Sequence, residues 1–260
     1  MMFGSLANPI KVIKTSPSLV VVGRLVSATV PFAPVVVKFL PENACAIELV
    51  CGWLGNAAGL PVPSIARISV NRSVMPIGTA WPYEADQTTT FACALIPLAQ
   101  KVVSADSAAV DIRLKKWQFV ELAGVFDELI AYDDRSKGNV LLDARQNFWL
   151  IDHARALGGA GQRLFSTEVF PSFANFFLQR IGSERLDERL SRKQPLLASC
   201  AQLRNYVPRI PYSELGISSE LEQEIRAYLS ARLRNLEHLV LSRVELPDLA
   251  VSSMQQLGAH

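Results

Sequence analysis

Residues 126–157, FDELIAYDDRSKGNVLLDARQNFWLIDHARAL, decide how the rest of the chain is read. The stretch runs as the end of a helix, a polar loop, a short strand, a turn, a second strand and then an acidic residue. Asp134 precedes Asn139 by five positions, and Asn139 precedes Asp152 by thirteen. An Asp and an Asn on one loop suit a hydroxyl nucleophile and a metal ion respectively. A second Asp at the end of the following hairpin reaches the same metal from the other side. Singly, each has a plainer use. Asp133, Asp134 and Asn139 are turn formers, and an Asp after a strand, such as Asp152, often caps the next helix. Their types, order and spacing together point to phosphoryl transfer.

Upstream, residues 1–18 read as a tail with Pro9 and Pro17 that leads into a first strand. Leu19 to Phe39 is rich in β-branched residues and is broken by Gly23 and by Thr29–Pro34 into two or three strands. Lys38 ends the clearest of these, Val35-Val36-Val37-Lys38-Phe39. By itself it reads as an edge-strand charge that resists aggregation. A helix follows from about Ala44 to Ala58, with Glu48 among Ile47, Leu49, Val50, Trp53 and Leu54. Gly59-Leu60-Pro61 ends it, because Gly suits the C-terminal turn and Pro cannot continue a helix. Ser64 to Val70 and Phe91 to Leu98 read as further strands, and Pro97 closes a small β-rich lobe.

Downstream of that lobe, Leu114, Trp117, Val120, Ala123, Phe126 and Ile130 recur as on one buried face of a helix within residues 105–131. Asn139–Leu142 and Phe148–Ile151 read as a hairpin turning through Asp143 to Asn147. After the glycine-rich Gly158–Gly161 come candidate helices over Phe173 to Ile181, Ser183 to Arg192, Ala198 to Tyr206 and Ser219 to about Arg243. The Arg and Glu residues of the last are read as a solvated face.

Composition narrows the classes. Half of the 260 residues are apolar, which supports a substantial core. The 26 basic and 24 acidic residues leave a formal charge of +2, so no global field favours nucleic acid or an anionic membrane. Cys45, Cys51, Cys93 and Cys200 form no Cys-x-x-Cys pair and read as buried free thiols. With His153, His238 and His260 as the only histidines, a zinc site has no ligand set. No secretory leader and no apolar run near ~20 residues is visible, so the expectation is a cytoplasmic protein.

A phosphoryl-transfer site needs charge neutralised on the nucleotide phosphates, a metal bridge and a group that orients the attacking hydroxyl. Lys38 suits the phosphates, Glu48 suits holding Lys38 in place, Asn139 and Asp152 supply oxygen ligands for Mg²⁺, and Asp134 suits the hydroxyl proton.

IAYDDRSKGNVLLDARQNFWLIDHARAL resembles the catalytic segment of the HipA-like kinases and, more distantly, that of the phosphoinositide-kinase-like group. PVVVKF resembles their nucleotide-binding lysine strand, and IELVCGWLGNAAGLPVP their Glu-bearing helix ending Gly-Leu-Pro-x-Pro. The resemblance covers roughly residues 15 to 160. It implies Asp134 as catalytic base, Asn139 and Asp152 as metal ligands, Lys38 on the phosphates and Glu48 as its partner. Tyr132 departs from the pattern, standing where the family usually has Asn. No glycine-rich phosphate cradle is visible, since Gly23 is the only glycine between Leu19 and Lys38; Ser27 and Thr29 offer hydroxyls there instead.

The resulting expectation is an α+β, two-lobed protein-kinase-like fold. Residues 1–98 form a small antiparallel-sheet N-lobe, and 99–260 a mainly helical C-lobe. The expected reaction moves the γ-phosphoryl group of ATP, with Mg²⁺, to a hydroxyl, with a protein Ser or Thr as the expected acceptor. The alternatives are a non-catalytic nucleotide-binding or interaction module and an adenylyl transferase. Expected partners are a protein substrate and, from the resemblance, an antitoxin-type protein, with no nucleic acid and no membrane.

Overall fold

A computed structural model describes residues 2–14, 18–27, 33–76, 78–104, 107–158 and 173–246. The expectations for Thr29, for Gly159 to Gly161 and for His260 lie outside these. Among the described residues there are eight strands and six α-helices.

Five strands build a closed barrel: β1 (Met2–Lys14), β2 (Leu19–Val26), β3 (Ala33–Lys38), β4 (Ile65–Asn71) and β5 (Gln87–Ala94), in the order β1-β2-β3-β5-β4. The expected antiparallel sheet is corrected here in two respects. The N-terminal tail is itself a strand, and it pairs parallel with β4 from Met2↔Ala66 to Ser5↔Ser69, which closes the barrel. Closure removes both sheet edges. The β1–β2 register shifts between Ala7 and Lys11, around Pro9, whose nitrogen carries no hydrogen for a ladder bond. β5 also begins earlier than the apolar pattern suggests, because the β-branched run Thr88 to Thr90 pairs with β4.

Strand alternation fixes which way each side chain points. Val21, Leu25, Val35, Val37, Ile68 and Val70 fill the barrel interior. Val36 and Lys38 therefore lie on the opposite face of β3. Because β3 sits between β2 and β5, Lys38 is on a central strand, and the edge-charge reading falls.

Helix α1 (Glu42–Ala57) is buried on nearly all sides, so it works as a core helix rather than an amphipathic one. It ends as expected at Gly59, which takes φ +78°, with Leu60 N–H donating to Gly55 O at 2.9 Å. Its apolar side chains join one continuous core with the helices that follow.

That helical part differs from expectation at two points. Residues 105–131 hold two helices, α2 (Ser107–Lys115) and α3 (Val120–Leu129), not one. Trp117, in the break, packs on Phe119, Phe148 and Phe177 at ring distances of 5.6, 5.7 and 5.8 Å. Conversely, α4 (Phe176–Gly182) is followed by a single helix, α5 (Leu186–Tyr206), that runs through Pro195. An interior Pro costs about 3 kcal/mol. Burial of Leu196, Cys200 and Leu203 just beyond it offsets that penalty. The last helix, α6 (Ser219–Arg243), has the expected bounds, capped by the Ser218 hydroxyl. Its charged face is not wholly solvated: Arg232 is fully buried and pairs with Glu128 of α3 at 3.2 Å.

A short sheet of β6 (Gln100–Lys101), β7 (Val140–Leu142) and β8 (Phe148–Leu150) carries the expected hairpin plus one added strand. No helix among the described residues is long and apolar enough to cross a membrane.

Candidate functional site

Lys38 and Glu48 meet because β3 runs into α1 through a short turn. Lys38 Nζ lies 2.5 Å from Glu48 Oε1 and 2.9 Å from Asp152 Oδ1. The other Glu48 oxygen accepts the backbone N–H of His153 at 3.0 Å. A buried carboxylate is tolerated only with such partners. Burial opposes the charged form of Glu48, but Lys38 and His153 outweigh it and bring the carboxyl down to about 2. Burial likewise pulls on the Lys38 ammonium, which Glu48 and Asp152 hold above its ordinary value. Lys38 stays charged at any physiological pH.

The loop from Ile130 to Asn139 is shaped by a buried ion pair. Arg135 donates from Nε and Nη2 to the two carboxylate oxygens of Asp127, each at 2.9 Å. The same guanidinium donates to Asn139 O at 3.1 Å and to Ile151 O at 2.8 Å. One side chain thus ties the helix end, the loop and the hairpin together. Lys137 anchors the loop outward to Asp111 at 2.8 Å, and Asp111 also receives Arg180 at 2.9 Å.

Asn139 ends a 3-10 turn (Lys137–Asn139) and is buried. Its Nδ2 donates to Asp134 O at 2.8 Å and to the Tyr132 hydroxyl at 3.0 Å. That hydroxyl in turn donates to Asp152 O. Asp152 takes φ +65°, a left-handed conformation rare for a residue with a Cβ, so its carboxylate is aimed by a strained backbone. No helix begins after it, and the capping reading does not apply. The Asp134 and Asp152 side chains are 43% and 45% exposed, so both remain open to a ligand. Arg155 reaches across Asp134 at 3.4 Å.

Lys38, Glu48, Lys101, Asp152 and His153 are the charged and ionisable side chains, beside Cys93, that line a cavity of about 250 Å³. Val36, Val62, Ile65, Phe91 and Leu150 give it apolar walls. Gly23 stands elsewhere: it is buried in β2, where a Cβ would come within 2.6 Å of Leu6 Cδ1. It is a barrel-packing glycine.

The structure therefore brings Lys38, Glu48 and Asp152 into direct contact, places Asn139 against Asp134, and links the two groups through Tyr132. Sequence reasoning missed the parts played by Asp127, Arg135, the Tyr132 hydroxyl, the His153 backbone and Arg155. Asp127 carried a signal as a charge within the apolar run of α3, and Arg135 and His153 stood in the Asp-Arg and Ile-Asp-His parts of the segment that resembles the family.

No curated protein matches the chain. Among solved structures, the crystal structure of a Helicobacter pylori proinflammatory kinase, CtkA, is similar, with a TM-score of 0.53 at 15% identity. The match covers 94% of this chain and 98% of that one. At that identity the likeness speaks to the fold. The sequence model described as HipA-like kinase matches residues 35–237, a span holding Lys38, Glu48, Asp134, Asn139 and Asp152 together. The chain belongs to that family of kinases.

Proposed function

We propose that this protein moves the γ-phosphoryl group of ATP, with Mg²⁺, to a hydroxyl, with a protein Ser or Thr as the acceptor class. The observation that carries this is Lys38, held between Glu48 and Asp152 in the wall of a mostly apolar cavity that Lys101 also lines. Apolar walls with a few converging polar groups suit a nucleotide base. In this reading the barrel with α1 is the small lobe of a two-lobed kinase, residues from about 99 onward are the larger, and the nucleotide lies between them.

The donor set fits a hard divalent cation. Among the described residues no three His, Cys, Asp or Glu side chains converge as a metal cage. Asp152 and Asn139 offer one carboxylate and one amide oxygen, as Mg²⁺ sites that share phosphate ligands do. Bound Mg²⁺ and ATP would supply the transferable group and the charge that neutralises its oxygens. Lys38 would hold the phosphates, with Glu48 fixing its position. Asp134, open to solvent beside Asn139, would orient the acceptor hydroxyl and take its proton. Arg155 would have to release Asp134 when the acceptor binds. An antitoxin-type protein is proposed as a further partner.

The test is nucleotide turnover by the purified protein with Mg²⁺ and ATP, beside its Asp134→Ala variant, with the product identified. ADP formation that falls at least about 100-fold in the variant is the expected result. AMP as the product would move the assignment to adenylyl transfer. No turnover and no ATP binding would leave the fold serving as an interaction scaffold.

A further inference from the structure

We infer that Tyr132 is a positioning residue that orients the Asn139 amide toward the metal and ties it to Asp152. This rests on the phosphotransferase reading above.

The Tyr132 ring is fully buried and held on several sides. Its backbone N–H donates to Asp127 O at 2.9 Å, the Arg135 guanidinium lies 4.3 Å from the ring centre, and the His153 ring is 5.9 Å away. The hydroxyl has little freedom as a result. Its two polar neighbours differ in kind. The Asp152 carbonyl can only accept, so the phenol proton goes there. The hydroxyl oxygen is then left to accept, and Asn139 Nδ2 donates to it. The second Nδ2 hydrogen goes to Asp134 O at 2.8 Å.

Both amide hydrogens are thereby used, and Oδ1 is left as the open acceptor of Asn139. A reversed amide would set its oxygen against the Asp134 carbonyl, two acceptors with no hydrogen between them. The chain Asn139 N–H to Tyr132 O–H to Asp152 O therefore chooses which end of the amide can meet a cation. Its far end pins the carbonyl of Asp152, the residue whose backbone is in the left-handed region. One hydroxyl joins the two residues that would ligate the proposed metal, through the amide nitrogen of Asn139 and the main-chain carbonyl of Asp152. Outer partners of this kind typically carry 10–100-fold in metal affinity.

The experiment is a Mn²⁺ titration, reading free Mn²⁺ by electron paramagnetic resonance, with a non-hydrolysable ATP analogue present. Tyr132→Phe keeps the ring and its packing and removes the hydroxyl; its thermal midpoint checks folding. We expect Mn²⁺ affinity to fall about tenfold, with metal-free analogue binding within about twofold of wild type. In an Asn139→Asp background there is no amide end to choose, so the same change should cost less than in the native background, the remainder coming from the freed Asp152 carbonyl. Wild-type affinity in Tyr132→Phe, or an equal loss in both backgrounds, would overturn the role for Tyr132 alone. A wild-type protein that takes up no Mn²⁺ with the analogue would remove the phosphotransferase reading and this inference with it.

Discussion

Lys38 and Glu48 are separated by ten residues and meet at 2.5 Å, with Glu48 almost completely out of water. A carboxylate so placed needs its cation, and the cation needs something to hold it over the cavity. Removing either should be felt in catalysis and also in stability, since the partner left behind is buried without its counter-charge. Lys38→Met is expected to lower kcat/KM for ATP about 100-fold, and Glu48→Gln by about tenfold. If the two act as one unit, the double variant should resemble Lys38→Met alone. A double-mutant cycle measures this, and purely additive losses would remove the pairing from the mechanism. Tyr132 shows the limit of reading single residues. By type it departs from the pattern of the resembling family, which usually has Asn there. Its hydroxyl nevertheless bridges Asn139 and Asp152, a contact that no residue spacing announces.

At the scale of elements, the placement of α1 matters most, because that helix carries Glu48. It lies close to β4 at Gly52, where an added Cβ would stand 2.6 Å from Ile65 Cγ2. Gly52→Ala gains about 1 kcal/mol of helix propensity but forces an overpacking penalty of about 1–3 kcal/mol. The net expectation is a loss of roughly 1 kcal/mol, read from urea unfolding, together with weaker ATP use as α1 shifts. Ile65→Leu lacks the Cγ2 methyl and should restore much of both in the double variant. An unchanged Gly52→Ala protein would mean that Ile65 yields without moving the helix. Element boundaries followed the same logic of packing over local preference. Pro195 did not break α5, and no breaker was needed to separate α2 from α3, because burial of aliphatic and aromatic side chains decided both.

For the whole molecule, the barrel and the helices share one junction, and its charges set the response to acid. The folded value for Glu48, about 2, lies below its ordinary 4.5. Its contribution to stability is therefore full above pH 4.5 and is lost as pH falls towards 2. His153, buried and held below its ordinary 6.5, acts in the same direction from about pH 6.5 downward. Urea midpoints measured from pH 7 to pH 3 should fall for the wild type and fall less steeply for Glu48→Gln. Parallel curves would show that Glu48 does not titrate differently in the folded chain.

The amino-acid sequence by itself determined the local parts. β-branched runs marked β2 and β3, the apolar residues recurring from Leu221 to Leu239 marked α6, and Gly59 marked the end of α1. The order Lys38, Glu48, Asp134, Asn139, Asp152 was legible because its residue types are scarce in such company: a lysine in a valine strand, a glutamate in an apolar helix. Tertiary structure alone decided the parallel seam that closes the barrel, the merging of α5, the burial of Arg232 against Glu128, and the network through Arg135 and Tyr132. Each of these joins positions far apart in the chain. Such contacts depend on which surfaces meet once the loops are closed, whereas a strand period or a helix cap is settled by neighbours a few residues away.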